Sequence, residues 1–309
     1  MSSEEAELVK AEESLKHSFQ SGNSARGLSN LQQRLLTAFL LLGPVLYASL
    51  LAPWWVFLPF LMLIIGLCLY EYFALAEKAG LGGYSILGYA AGLAFPVGQV
   101  WVLKRPEFSL LPLVGLLAMV VPLAALGFEK NVRRYATAAP ATLFGIFYVA
   151  FGLSWLVQLR FHPEQGGPML VVLLFAVVWM GDVGAYFVGR SVGRTKLAPS
   201  ISPKKTVEGS LGGFAGSLLA GAVVLYFFGD MEKLPSLLIV CALVGLVGQA
   251  GDLAESALKR AADTKDSSAL LPGHGGVLDR LDSLIAAAPA MWFLISVLPI
   301  GRLGPAGRF

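Results

Sequence analysis

"MLVVLLFAVVWMGDVGAYFVGR", Met169 to Arg190, decides the fold of this chain. Its first twelve residues are apolar without interruption, and polar groups then follow in a few turns of helix. Such a run approaches the ~20 residues that carry a helix across a bilayer. Comparable runs recur outward from it, among them "LLTAFLLLGPVLYASLLA" from Leu35 and "VFLPFLMLIIGLCLY" from Val56. The whole chain agrees: 56% of residues are hydrophobic and 14% charged, where soluble domains hold about 25% charged residues.

The expected fold is therefore all-α: a polytopic integral membrane protein of about nine transmembrane helices with a cytoplasm-facing polar active site. The spans fall at 31–52, 54–76, 85–103, 109–127, 136–158, 169–190, 210–229, 236–253 and 283–301. The 236–253 segment is short and rich in glycine, which suits packing inside the bundle. Residues 1–30 read as a polar cytoplasmic tail without a cleavable signal. Residues 31–165 form the N-terminal transmembrane helices, and 166–309 the catalytic region. Cys68 and Cys241 fall inside apolar runs and read as packing residues. With the N-terminus inside, 17 Lys and Arg lie on the inner side and 6 on the outer. The positive-inside rule then puts 190–209 and 254–282 in the cytoplasm.

Three polar constellations stand out. In "GDVGAYFVGR", Asp182, Tyr186 and Gly189 share one helix face. An intramembrane carboxylate usually marks a substrate or ion path, against the alternative of a structural pair with Arg190. In "KLAPSISPKKTVEGSLGG", Pro199 and Pro203 bar a continuous helix. There Lys204, Lys205 and Thr206 gather cations and a hydroxyl at a helix start, a composition that suits phosphate and equally suits anionic lipid headgroups. In "QAGDLAESALKRAADTKDSSALLPGHGGVLDRLDS", Asp252, Glu255 or Ser256, and Lys259 share a face. Asp279 and Asp282 follow a Pro-Gly-His-Gly-Gly turn that lets two carboxylate-bearing helix ends approach. Hard oxygen donors beside several cations compose a site for divalent metal and polyphosphate. His274 reads either as a phosphate donor or as a local turn residue. Gly275 and Gly276 permit positive φ, and Lys265, Asp266 and Asp282 read equally well as solvated loop charge.

This third constellation resembles the phosphatidate cytidylyltransferase (CDP-diacylglycerol synthase) family. The resemblance rests on Ser256, Lys259, Arg260, Lys265, Asp266, Ser268, Pro272, His274, Gly275, Gly276, Asp279, Arg280 and Asp282, with likeness extending over roughly Gly181 to Pro289. It implies transfer of CMP from CTP to phosphatidate, with Mg²⁺ held by Asp252 and Asp279 and a monovalent cation such as K⁺ beside it. On that reading Lys204, Lys205, Lys259, Arg260 and Arg280 meet phosphates. Ser202, Thr206, Ser256 and His274 donate or accept hydrogen bonds, and Asp182 and Tyr186 wall the site. The expected partners are CTP, phosphatidate and the bilayer, without nucleic acid; a homodimer is the assembly considered. The expected location is a bacterial inner membrane. A CTP-dependent lipid kinase, an ion-coupled transporter and a non-catalytic lipid-binding protein are the rival readings.

Overall fold

The computed structural model describes residues 42–304, apart from 106, 230, 272–274 and 299. The tail 1–30, most of the expected first span and His274 lie outside the described residues. Of that first span, 42–50 is helical. Eight helices among the described residues are long and apolar enough to cross a membrane. They are α1 (Trp54–Lys78), α2 (Ser85–Lys104), α3 (Leu111–Phe128), α4 (Val132–Arg160), α5 (Gly167–Val192), α6 (Val207–Phe228), α7 (Leu234–Ala261) and α8 (Leu278–Val297). Helices dominate because hydrocarbon offers no partner to a backbone N–H or C=O, so each span must satisfy its own.

The core is built from α1, α4, α5, α7 and α8, with Leu69, Leu153, Leu173 and Ala287 among its fully buried side chains. α3 lies at the periphery: Val121 and Ala125 are buried, while Leu111, Met119 and Leu123 are exposed. α5 and α6 touch backbone to backbone. A Cβ on Gly184 would stand 2.4 Å from the Gly212 carbonyl oxygen, and one on Gly216 2.3 Å from that of Met180. Small residues are what let membrane helices approach this closely.

Three expectations need adjustment. The segment expected at 236–253 is one part of α7, which continues to Ala261. It also buries only one face, leaving Ile239, Leu243 and Leu246 exposed. The last span begins at Leu278 rather than 283 and ends at Val297. Between α5 and α6 the chain forms a small antiparallel hairpin, β1 (Lys196–Ala198) and β2 (Ser202–Thr206), inside an otherwise all-helical architecture.

The connections sort to two ends. At one end Arg160 donates to the Ala52 carbonyl (3.1 Å), Leu303 N–H to Gln165, and Lys104 lies over the Trp54 ring. Exposed Trp54, Trp55 and Trp101 belong to this end, as expected of an interfacial aromatic belt. The hairpin and the 262–277 loop lie together at the opposite end, tied by the Arg260 side chain.

Candidate active site

Thr206 closes β2 and caps α6: its hydroxyl accepts from the Gly209 N–H at 3.1 Å. Such a cap satisfies one of the donors a helix start leaves over. Glu208, in the next turn, accepts from the Arg194 and Thr195 N–H groups and folds the hairpin back on the helix. These contacts hold Lys204 and Lys205 over a cavity of about 440 Å³. Asp182, Tyr186, Arg190, Gln249 and Asp252 line the same cavity. Three sequence segments that carried separate constellations thus meet around one cavity.

The cavity is electrostatically mixed. Lys205 Nζ lies 2.5 Å from Asp252 Oδ2, and Ser256 Oγ is 3.4 Å from Asp252 Oδ1. Asp182, Asp252 and Asp282 lie close enough for their charges to interact. Lys204 makes no ion pair among the described residues. Arg190 donates to the Tyr186 hydroxyl at 2.8 Å.

A second cluster joins α7 to α8. Lys259 Nζ sits between Glu255 (2.5 Å) and Asp279 (2.7 Å). The same α7 face therefore carries Asp252, Ser256 and Lys259, and Lys259 joins that face to the start of α8. Asp279 Oδ2 accepts three more hydrogen bonds, from the Ser267 N–H and hydroxyl and from the Gly276 N–H. Gly275 has φ +83° and forms an antiparallel bridge with Leu271. α7 and α8 meet closely here: a Cβ on Gly251 would be 2.8 Å from the Asp282 carbonyl oxygen.

Arg260 is engaged elsewhere, donating to the carbonyls of Ile201 (3.1 Å) and Thr264 (2.8 Å), and so braces the hairpin against the loop. Arg280 donates its backbone N–H to Val277 in the first turn of α8. Ser202 pairs with Ala198 in the hairpin and is absent from the cavity wall. Lys265 and Asp266 are exposed. Among the described residues, no three His, Cys, Asp or Glu side chains are arranged to cage a metal ion.

Two contributors come from the N-terminal half and were not anticipated. Tyr148, in a π-helical stretch of α4 (Ile146–Phe151), donates to the Gly251 carbonyl, next to Asp252, at 3.1 Å. π-helical turns often accompany functional sites. Glu71 of α1 is fully buried and accepts from Ser267, Ser268, Val277 and Leu278. A carboxylate within the apolar run of α1 was the available signal, the same one that singled out Asp182.

Comparison with known proteins gives a consistent result. The profile of the cytidylyltransferase family matches residues 32–298. A phosphatidate cytidylyltransferase of Synechocystis sp. is 32% identical over 294 residues, spanning 87% of this chain and 98% of its own. That of Bacillus subtilis is 33% identical over 280 residues, with 87% and 98% covered. That of Staphylococcus saprophyticus reaches 40% over 186 residues, covering 60% of this chain and 70% of its own.

Proposed function

The chain belongs to the cytidylyltransferase family, and from that premise we propose that it transfers CMP from CTP to phosphatidate at the cavity between α5, the hairpin, α6 and α7. The products are CDP-diacylglycerol and pyrophosphate. The observation that carries the reading is the cavity wall itself, where Lys204 and Lys205 face Asp182 and Asp252 at the polar end of a membrane bundle. One substrate is a lipid and the other a soluble polyanion, so the site belongs at the membrane edge.

A phosphate monoester, with its second pKa near 6, is largely dianionic at neutral pH and attacks the α-phosphorus directly. No protein nucleophile is needed. The obstacle is the approach of two anions and the departure of a third. Lys204 and Lys205 meet the nucleotide phosphates, with the start of α6 adding its N–H groups. Lys259, Arg280 and the remaining donors of Arg260 complete the positive field, while Ser256, Thr206 and His274 supply hydrogen bonds. Tyr186 walls the cavity on the α5 side.

A divalent ion fits the donor set. Mg²⁺ is usually held by one or two carboxylates together with substrate phosphates and water. Lys205 places a cation 2.5 Å from Asp252, and Lys259 places one 2.7 Å from Asp279. We assign Asp252 and Asp279 to Mg²⁺, with Asp182 and a monovalent ion such as K⁺ beside it. When bound, the metal neutralises charge on the nucleotide as pyrophosphate leaves. Asp252 and Asp279 would hold the ion, with Lys259, now paired to Asp279, left to offset substrate phosphate charge.

The positive-inside asymmetry orients this end toward the cytoplasm, with nine spans once 31–52 is included. The test is to incubate detergent-purified protein with labelled CTP, phosphatidate and Mg²⁺. Labelled CDP-diacylglycerol and one pyrophosphate per turnover are expected. CDP as the nucleotide product overturns the reading in favour of γ-phosphate transfer.

A further inference from the structure

Glu71 lies about two turns from the polar end of α1, with no exposed surface. Four donors converge on its carboxylate. They are the N–H groups of Val277 (2.9 Å) and Leu278 (2.6 Å) and the hydroxyls of Ser268 (2.6 Å) and Ser267 (3.0 Å). α8 receives no side-chain cap from Val277, its own N-cap residue. Glu71 therefore caps it from another helix, where a carboxylate meets both the unsatisfied N–H groups and the positive end of the helix dipole.

The cap is linked to the chemistry. Ser267 Oγ stands 3.0 Å from Glu71 Oε2 and 3.0 Å from Asp279 Oδ2, so the two carboxylates share one hydroxyl. The arrangement has no slack. A Cβ on Gly276 would lie 1.9 Å from Ser267 Oγ and 2.6 and 2.7 Å from the Glu71 oxygens.

We infer that Glu71 is a positioning residue for cytidylyl transfer, fixing from α1 Ser267, Ser268 and the first turn of α8, and hence the directions of Asp279 and Asp282. The inference rests on the reading above and assigns it a residue from the other half of the chain. Loss of the carboxylate leaves buried donors unpaired and frees Ser267 to turn away from Asp279.

Glu71→Gln keeps the side-chain shape but sets an amide NH₂ among four donors. The variant is expected to fold with kcat about 100-fold lower, the loss typical of a small misplacement. The phosphatidate KM should move less than about threefold, because Glu71 lines no part of the cavity. A second readout is the rise in Tm that Mg²⁺ gives the nucleotide-free protein, which should shrink. Glu71→Asp keeps the charge and should restore part of kcat. Wild-type protein that makes no CDP-diacylglycerol sinks the reaction itself. Active wild type beside a Glu71→Gln variant with normal kcat and a normal Mg²⁺ shift overturns the role of Glu71 alone, even if Tm falls. Should Glu71→Gln not fold, Ser267→Ala carries the test, since it spares both backbone caps and removes the hydroxyl shared by Glu71 and Asp279. Lower kcat with a smaller Mg²⁺ shift in Ser267→Ala supports the inference, and wild-type values overturn it.

Discussion

Asp252 and Asp279 are both held by lysines, but in different settings. Asp252 faces the cavity with about a quarter of its side chain exposed, whereas Asp279 is nearly buried and accepts four hydrogen bonds. Removing one partner of a buried ion pair typically costs about 3–5 kcal/mol, so Asp279→Ala should unfold readily. Asp279→Asn retains the shape and should fold. Either Asp→Asn change is expected to lower kcat between about 100- and 1,000-fold. The double variant should be little worse than either single one, because the two act as one unit. Multiplicative losses in steady-state kinetics would show that they do not share an ion. Asp252, Ser256 and Lys259 were readable in the sequence because helical spacing alone puts them on one face. The partners of Asp279 were not, since the donors on its loop become neighbours only when the 262–277 segment folds back. Glu71 meets Ser267 across 196 residues, a separation no local pattern spans.

Helix boundaries show a second limit of the linear pattern. Hydropathy reports where a segment meets hydrocarbon, and α7 keeps its hydrogen bonding well past that point, to Ala261. That polar extension is what carries Glu255 and Lys259. The two prolines correctly barred a helix at 196–206, yet strand pairing there depends on Glu208 drawing the chain back. Lys204 and Lys205 are presented by this hairpin, so changing both to Gln should raise the CTP KM by about tenfold or more for two lost charge-assisted contacts. The phosphatidate KM should change little. Equal effects on both, in neutral detergent, would favour a general electrostatic role. At the α5–α6 contact, Gly216→Ala forces a methyl against the Met180 carbonyl and should cost about 1–3 kcal/mol, as overpacking does. Gly115→Ala in α3 meets open space and should be neutral or stabilising by up to about 1 kcal/mol from helix propensity. Thermal unfolding in detergent separates the two.

Across the whole molecule, the bundle of apolar spans was legible because bilayer thickness imposes a length on every helix. Its interior neighbours were not, since lipid-facing and core-facing residues are equally apolar. α3 and α4 read alike in sequence but differ sharply in burial. The two-ended sorting of loops gives the orientation a direct test. With Cys68 and Cys241 replaced, both being buried, Lys265→Cys and Arg302→Cys place single thiols at exposed positions on opposite ends. In intact cells an impermeant maleimide added outside should label Arg302→Cys and spare Lys265→Cys. Labelling of Lys265→Cys would invert the orientation and remove the nucleotide's access from the cytoplasm.

The cap that α1 provides to α8 also sets a timetable for biogenesis. Leu278 follows Glu71 by 207 residues. At about 5–20 residues per second, synthesis of that interval takes roughly 10–40 s. Throughout it α1 is already made and carries a carboxylate whose eventual donors do not yet exist. The aliphatic stretch from Leu61 to Leu69 must hold the helix in place while it waits. A chain that stops before the last span leaves that acid unpaired within an apolar helix, where a lone carboxylate is costly.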